Sequence, residues 1–458
     1  MTTTAILALL LLLSAVGFVA GRRRALQSVD GRFSALHSKP VYHGWYTALA
    51  AFVPGAILVL AWLIFGPALL DQLVLSELPP DARPQTDLEE RVILNAMHEG
   101  GAQLAFINDP AIAEAAKDYA HYQNLGSLAV LALGSLFAVL GIMNGLRAAQ
   151  PQFRARNAVE RFLSLLLIAS SVVAVLTTVG IILSLLFESL RFFNRVSMLE
   201  FLFGMQWSPQ TAIRADQVGS TGAFGAVPLF VGTFLISFIA MCVAVPIGLM
   251  SAVYMTQYSS ARFRQIAKPL LEILAGVPTV VYGFFAALTV APLVRDAGVT
   301  LGLSVASESA LAAGLVMGIM IIPFMSSLSD DAITAVPQAM RDGSFALGAT
   351  KSETIRLVLI PAALPGIVGA FLLSVSRAIG ETMIVVMAAG LAANLSVNPL
   401  DAVTTITVQI VTLLTGDQEF DSAKTLAAFA LGLVLFVMTL CLNIIALRVV
   451  RKYRETYE

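Results

Sequence analysis

The chain has 458 residues, of which 58% are hydrophobic and only 12% are charged, and its formal net charge is −1. Soluble domains carry about 25% charged residues, so this composition indicates a protein whose side chains mostly face lipid. The near-neutral charge gives no support to nucleic-acid binding, and Cys242 and Cys441 lie far apart in apolar segments, as expected of packing residues without a disulfide.

Long apolar segments dominate the chain, and a membrane-spanning helix needs about 20 such residues. The candidate spans are residues 3–20, 44–68, 123–145, 162–190, 226–256, 267–293, 306–328, 361–392 and 424–449. The first is followed, not preceded, by Arg22–Arg24, so we interpret it as an uncleaved helix whose N-terminus lies outside. The predicted fold class is all-α: a polytopic membrane helix bundle with about nine transmembrane helices.

Loop charges predict the orientation of these helices. Basic residues dominate segments 21–43, 147–161 and 257–268 and the C-terminus, which are therefore expected to be cytoplasmic. Acidic residues dominate segment 69–121, which is expected to be a translocated, periplasmic loop. Residues 87–118 within it are either a small amphipathic hairpin or a flexible acidic linker.

The Arg-rich segment 147–161 also suggests a domain boundary. It separates an N-terminal extension, residues 1–150, with about three spans, from a C-terminal unit, residues 151–458, with about six. The longest charged interruption of the C-terminal unit is segment 329–360, which is expected to be cytoplasmic.

Segment 329–360 contains two helical patterns with Gly348 between them. Glycine permits a positive φ at that point, and Pro361 suits the first turn of the next helix. An ordinary helix–turn–helix loop has the same composition. The spacing, however, resembles the EAA loop of ABC-importer permeases, although Asp342-Gly343-Ser344 stands where that loop has Glu-Ala-Ala.

This resemblance implies that the loop forms a short coupling helix that docks in a groove of an ATP-binding subunit. The implied coupling residues are Asp342, Gly343, Ser344, Gly348 and Pro361. No GxxxxGK[ST] motif occurs in the chain, so ATP hydrolysis is expected on a separate subunit, and the chain is not expected to be an enzyme.

The next span carries both a cation and an anion, in the string Arg377-Ala-Ile-Gly380-Glu381-Thr382. Residues four apart share a helical face, and charges within a span are kept mainly where they pair or line a polar pathway. Two interpretations follow. Arg377 and Glu381 form a structural ion pair, or Arg377 attracts an oxyanion while Glu381 orients the arginine and Gly380 lets a ligand approach.

A proline-containing stretch, Val277 to Gly283, provides a third motif. Proline within a span removes a backbone hydrogen bond, which either permits a packing kink or frees N–H groups near a ligand. The stretch resembles the PSxVYG segment of phosphate ABC-transporter permeases, and RAIGET resembles their RAxGET signature. Candidate pathway residues are Arg377, Gly380, Glu381, Thr382, Pro278, Thr279 and Tyr282.

Residues 160–450 thus resemble phosphate ABC-transporter permeases of the PstC type, and the N-terminal extension resembles that of the long members. The resemblance implies a six-helix type I importer core in the bacterial inner membrane. Implied partners are a second permease of PstA type, an ATP-binding dimer of PstB type, a periplasmic phosphate-binding protein of PstS type, phosphate and membrane lipid. No cofactor or metal is implied, and the four histidines lack ligand spacing.

Two alternatives remain open from the sequence. A permease for sulfate, molybdate or phosphonate would share the fold and the coupling loop. A membrane scaffold or sensor in phosphate signalling is the third hypothesis, and the extra N-terminal spans are its only support.

Overall fold

The computed structural model describes residues 3–29, 31–79, 84, 86–98, 110–209, 222–415 and 422–454. These residues are almost entirely helical, as the composition predicts. The chain divides into two compact units, Met1–Val175 and Leu176–Glu458. The division falls inside a helix and not in a loop, so the domain boundary at residue 150 stays a prediction.

Four helices lie within the first unit, and a fifth crosses from it into the second. They are α1 (Thr3–Gln27), α2 (Pro40–Glu77), α3 (Asp87–His98), α4 (Pro110–Ala148) and α5 (Ala155–Phe193). Small residues let α1, α2 and α4 approach closely: Gly141 faces the backbone of Ala50, and Gly21 and Gly145 both face Thr47. These close approaches accompany a buried apolar cluster that includes Leu10 of α1, Val59 of α2 and Val130 of α4.

Helix α3 belongs to the acidic loop between the second and third spans. Its Ile93 is buried in an apolar cluster with Val74 of α2 and Tyr119 of α4. This packing supports the amphipathic hairpin over the flexible linker for the part of the loop that the structure describes.

The second unit contains the remaining elements and one two-residue antiparallel strand pair. They are α6 (Met198–Phe203), β1 (Trp207–Ser208), β2 (Ala223–Phe224), α7 (Val227–Val253), α8 (Ala261–Ala275), α9 (Thr279–Phe285), α10 (Ala291–Thr300), α11 (Ala310–Thr334), α12 (Gln338–Ala346), α13 (Lys351–Thr354), α14 (Ile360–Ile379), α15 (Met383–Ala388), α16 (Ile406–Leu414) and α17 (Ala423–Arg454). Short π-helical turns follow α7, join α9 to α10 and join α13 to α14.

Among the described residues, nine helical segments are long and apolar enough to cross a membrane, which confirms the predicted number. The bounds of two predicted spans are wrong. The span predicted at 267–293 is split, because Pro278 takes an extended conformation (φ −55°, ψ 134°) and disfavours helix in the residue before it. The spanning segment is Thr279–Thr300.

The second error concerns the predicted span 361–392. Helix α14 ends at Ile379, and α15 is a separate short helix. The apolar composition continues across the break, so a hydropathy pattern alone joins the two helices.

Helix α11 lies at the centre of the second unit. Its Gly314 and Gly318 face Ile239 and Val243 of α7, and most of its length is buried. Both predicted functional motifs adjoin α11, one along the chain and one by packing. The segment that resembles the EAA loop continues directly from its C-terminal end, and α14, which carries Arg377, packs against it.

Candidate functional site

The segment that resembles the EAA loop folds as two helices on either side of a glycine. We name residues 338–359 the coupling arm; it comprises α12, the turn at Gly348, α13 and the π-helical turn before α14. Gly348 has φ +84°, a conformation that side chains rarely adopt, which confirms the predicted change of sign. Thr350 and Glu353 form a capping box that restarts the helix, and the Ser344 and Thr354 hydroxyls lie 2.9 Å apart.

The coupling arm presents an open apolar surface. Leu347 is 92% exposed, and a Cβ atom at Gly348 would have no neighbour within 4 Å. A surface depression of about 370 Å³ is lined by Ala339, Met340, Gly343, Ser344, Leu347, Ala349 and Val358. Asp342 accepts a hydrogen bond from Gln338 within α12, and Pro361 lies in the first turn of α14. Such a surface is suited to docking on another protein.

The chain turns sharply between Arg377 and Glu381. Helix α14 ends at Ile379 with Gly380 as its cap, and the Glu381 carboxylate accepts hydrogen bonds from the backbone N–H groups of Met383 (3.1 Å) and Ile384 (3.4 Å). The prediction that Arg377 and Glu381 project from one helical face is therefore wrong. Because α14 ends before Glu381, the Glu381 side chain does not align with that of Arg377. It caps the start of α15 instead.

Arg377 is an exposed cation in the last turn of α14. Its guanidinium carbon lies 5.8 Å from the ring centroid of Phe324, a cation–π distance, and it forms no ion pair with any residue in the described ranges. The C-terminal end of a helix dipole stabilises a cation only partly. Arg377 therefore keeps its attraction for an anion.

The other candidate pathway residues lie on or beside α9. Pro278 is exposed at its N-terminal cap, Thr279 is half-buried in its first turn, and buried Tyr282 donates a hydrogen bond of 2.9 Å to the carbonyl of Leu274. A Cβ atom at Gly283 would lie 3.1 Å from the carbonyl of Met383, so α9 packs closely against α15. The structure thus brings the proline motif next to the chain that follows Glu381.

The remaining residues of the RAIGET string have local roles in the turn. Gly380 is exposed, and the Thr382 hydroxyl lies 3.5 Å from the Gly380 carbonyl. The backbone carbonyl of Glu381 accepts a hydrogen bond of 2.8 Å from Thr407, which fastens the turn to α16.

An ionic cluster at the end of α11 was not predicted. The Asp330 carboxylate, 1% exposed, lies 2.9 Å from both the Arg264 and the Lys268 nitrogens, and Lys268 also lies 3.3 Å from Asp331. The hydrogen bond to Asp330 raises the pKa of Lys268 above its usual value. The sequence shows two acids at the end of an apolar span and two basic residues four apart in α8, but no local pattern pairs them across more than sixty positions.

Comparisons with known proteins agree with this architecture. Residues 7–177 match a family described as phosphate ATP-binding cassette transporter, and residues 244–455 match the binding-protein-dependent transport system inner membrane component. The probable ABC transporter permease protein YqgH of Bacillus subtilis is 33% identical over 273 residues, covering 59% of this chain and 84% of the relative. The phosphate transport system permease protein PstC 1 of Mycobacterium tuberculosis is 33% identical over 288 residues, covering 57% of this chain and 84% of the relative.

One solved structure in the comparison is the inward-facing MetNI methionine ABC transporter. The alignment covers 50% of this chain and 94% of the MetNI chain, at 18% identity and a TM-score of 0.36. That score is too low to bear on mechanism.

The helix bundle with its coupling arm defines the class: a permease subunit of an ABC importer, multi-pass in the inner membrane. The chain belongs to the binding-protein-dependent transport permeases, in the group of PstC-type phosphate transport permeases. It is a transport subunit and not an enzyme, and it works with a separate ATPase and a binding protein. The predicted family, fold class and membrane location are confirmed.

The role of Glu381 as a helix cap gives a first prediction. Replacing it with alanine removes the acceptor of two backbone N–H groups and should cost about 0.5–2 kcal/mol of stability. Glu381→Gln keeps an acceptor oxygen and should cost less than half as much. Thermal unfolding of the purified chain in detergent measures both. If an ion pair with Arg377 mattered instead, Gln would be as harmful as Ala, and Arg377→Gln would destabilise the chain equally.

Proposed function

We propose that the chain is one of two non-identical permease subunits of an ATP-driven importer of inorganic phosphate. The observation that carries the proposal is Arg377, an exposed cation in the last turn of a spanning helix that forms no ion pair within the described ranges. A charged side chain within a span is costly unless it meets water, an opposite charge or a ligand. An anion in transit supplies the missing charge.

The role of Glu381 strengthens this assignment. Its carboxylate is occupied by the N–H groups of Met383 and Ile384. It therefore does not neutralise Arg377 directly, and the guanidinium can contact a phosphate oxygen with its donor fork. Gly380 and Thr382 lie on either side of Glu381, and we assign to them the space and the hydroxyl that an anion bound at Arg377 would use.

The proline motif forms the second side of the proposed pathway. Thr279 and Pro278 begin α9, which packs on α15, and Tyr282 fastens α9 to the end of α8. Because the Tyr282 hydroxyl donates to a backbone carbonyl, we assign it to holding the kink and not to contacting phosphate. A conduit must also release its ion, so few and weak contacts suffice.

Energy for transport would come from the ATPase. The exposed coupling arm offers Asp342, Gly343 and Ser344 beside Gly348 to a groove of a PstB-type subunit. The chain would pair with a PstA-type permease and receive phosphate from a PstS-type binding protein. The names of the relatives, which include phosphate transport system permease proteins, support these partners.

A permease for sulfate or molybdate remains the second candidate, because Arg377 attracts any oxyanion by charge alone. The family description of residues 7–177 and the names of the relatives favour phosphate. Competition by unlabelled sulfate or molybdate against labelled phosphate, in the assembled complex, separates the two.

Gly348 provides a test of the coupling arm. A valine there must hold a positive φ, at a cost of about 1–2 kcal/mol, but nothing lies close enough to clash. We expect Gly348→Val to lower the phosphate transported per ATP hydrolysed, while the thermal stability of the membrane bundle is retained. Asparagine tolerates this conformation, so Gly348→Asn is the matched control. It should transport as much phosphate per ATP hydrolysed as the wild type. Full coupling in the valine variant would contradict the docking assignment.

Arg377 provides the test of the pathway. ATP-dependent uptake of labelled phosphate is measured in proteoliposomes that contain the complete complex. Losing a charge-assisted hydrogen bond should lower uptake about tenfold or more in Arg377→Gln, while Arg377→Lys keeps the charge and loses less. Arg295→Gln, at an arginine that lies 3.7 Å from Asp296, is the control and should be near wild type. Unchanged uptake in Arg377→Gln would refute the pathway role.

A further inference from the structure

Asp330 joins two helices that have different tasks in the proposed transport cycle. It lies one turn before the end of α11, is 1% exposed, and both of its oxygens are occupied: Oδ1 lies 3.0 Å and Oδ2 lies 2.9 Å from Nη2 of Arg264. The Lys268 ammonium lies 2.9 Å from Oδ2, and Arg264 also reaches the Thr334 hydroxyl at 3.4 Å. One buried anion thus binds two cations of α8.

Apolar packing holds α8 on α11 only in part. Helix α8 has no buried residue, and the side chains of Phe263, Ile266 and Ile273 are each more than half exposed. A buried carboxylate with two cationic partners is a strong and directional attachment, because leaving it unpaired would strand a charge away from water. The cluster is therefore the main polar connection between the two helices.

One side of this connection leads to the coupling arm. After α11 ends at Thr334, only residues 335–337 separate it from α12. Ile333 of α11 and Val336 are buried in one apolar cluster with Ile355 and Leu359 of the coupling arm. The coupling arm and the end of α11 thus share one packed core, through which movement of the arm can be transferred.

The other side leads to the proposed phosphate pathway. Helix α8 is followed by Gly276-Val277-Pro278 and then by α9. The hydrogen bond from Tyr282 to the Leu274 carbonyl, 2.9 Å, bridges this break. This connection would let a displacement of α8 shift the start of α9, where Pro278 and Thr279 lie.

We propose that Asp330 is a positioning residue that makes α8 follow the coupling arm, so that closure of the ATPase moves the Pro278–Tyr282 segment. The inference rests on the proposed transport function. Asp330 touches neither phosphate nor the ATPase, and it acts through Arg264 and Lys268. The side chain of the next residue, Asp331, is 66% exposed, and Lys268 is its single ion-pair partner among the described residues, so it does not serve this purpose.

The first test compares Asp330→Asn with Asp331→Asn in the complete complex. Both remove one carboxylate charge from neighbouring positions. Phosphate uptake and ATP hydrolysis are measured together. We expect Asp330→Asn to keep hydrolysing ATP while phosphate transported per ATP falls about tenfold. The exposed Asp331 contact is worth little, so Asp331→Asn should change this ratio by less than about twofold. Equal ratios in the two variants would overturn the proposal.

Lys268→Gln is the alternative variant if the complex that carries Asp330→Asn does not assemble. It removes one cation and leaves Arg264 in place, so we expect a smaller loss of coupling in the same direction. Lys268→Gln also loses the contact with Asp331. The Asp331→Asn variant loses the same contact alone and therefore serves as its control. A Lys268→Gln complex as tightly coupled as Asp331→Asn would also count against the proposal.

A distance measurement separates transmission from simple stabilisation. Spin labels are placed on Ile266→Cys in α8 and Ala335→Cys after α11, both exposed, with Cys242 and Cys441 replaced by serine. In the otherwise wild-type chain the distance should be the same without nucleotide and in the ATP-trapped state. In Asp330→Asn it should change on ATP binding. A constant distance in Asp330→Asn would refute transmission, whereas a lack of phosphate uptake by the wild-type complex would refute the proposed function itself.

Discussion

The cost of charge in an apolar environment explains how this chain uses its few ionised residues. Asp330 is buried and is compensated by two cations on α8, so it holds helices together. Arg377 has no such ionic partner in the described ranges, and its guanidinium lies over the face of Phe324. The first arrangement is complete within the chain, and we propose that a transported anion completes the second. This contrast separates the connection that is proposed to transmit movement from the cation that is proposed to meet the substrate.

Two helix breaks link these charges to transport. Pro278 starts α9 after α8, and Gly380 and Glu381 end α14 and start α15. Irregular backbone at membrane depth is tolerated where protein or water satisfies its polar groups, and here Glu381, Tyr282 and Thr407 supply those partners. Both breaks meet where α9 packs on α15. Movement that enters through the coupling arm can therefore reach the chain on both sides of the proposed pathway.

The features that could be predicted from the sequence are those that short stretches of residues determine. Apolar length fixed the number of spans, and the spacing around Gly348 predicted both helices of the coupling arm and its positive φ. Local periodicity failed at Glu381, because the i,i+4 argument assumes a continuous helix, whereas α14 ends at Ile379 and the Glu381 carboxylate caps the start of α15. The Asp330 cluster joins residues more than sixty positions apart, and no short-range pattern contains that information. Substrate identity likewise came from resemblance, since charge attraction does not distinguish one oxyanion from another.

The most direct test of the account is the accessibility of position 377 in the assembled complex. Arg377→Cys, in a chain whose Cys242 and Cys441 are replaced by serine, is exposed to a charged, membrane-impermeant thiol reagent from outside. Leu176→Cys, on the apolar exposed surface of α5, is the unreactive reference. An alternating pathway predicts that position 377 reacts faster in the ATP-trapped state than without nucleotide. The same rate in both states, or no more reaction than at position 176, would contradict it.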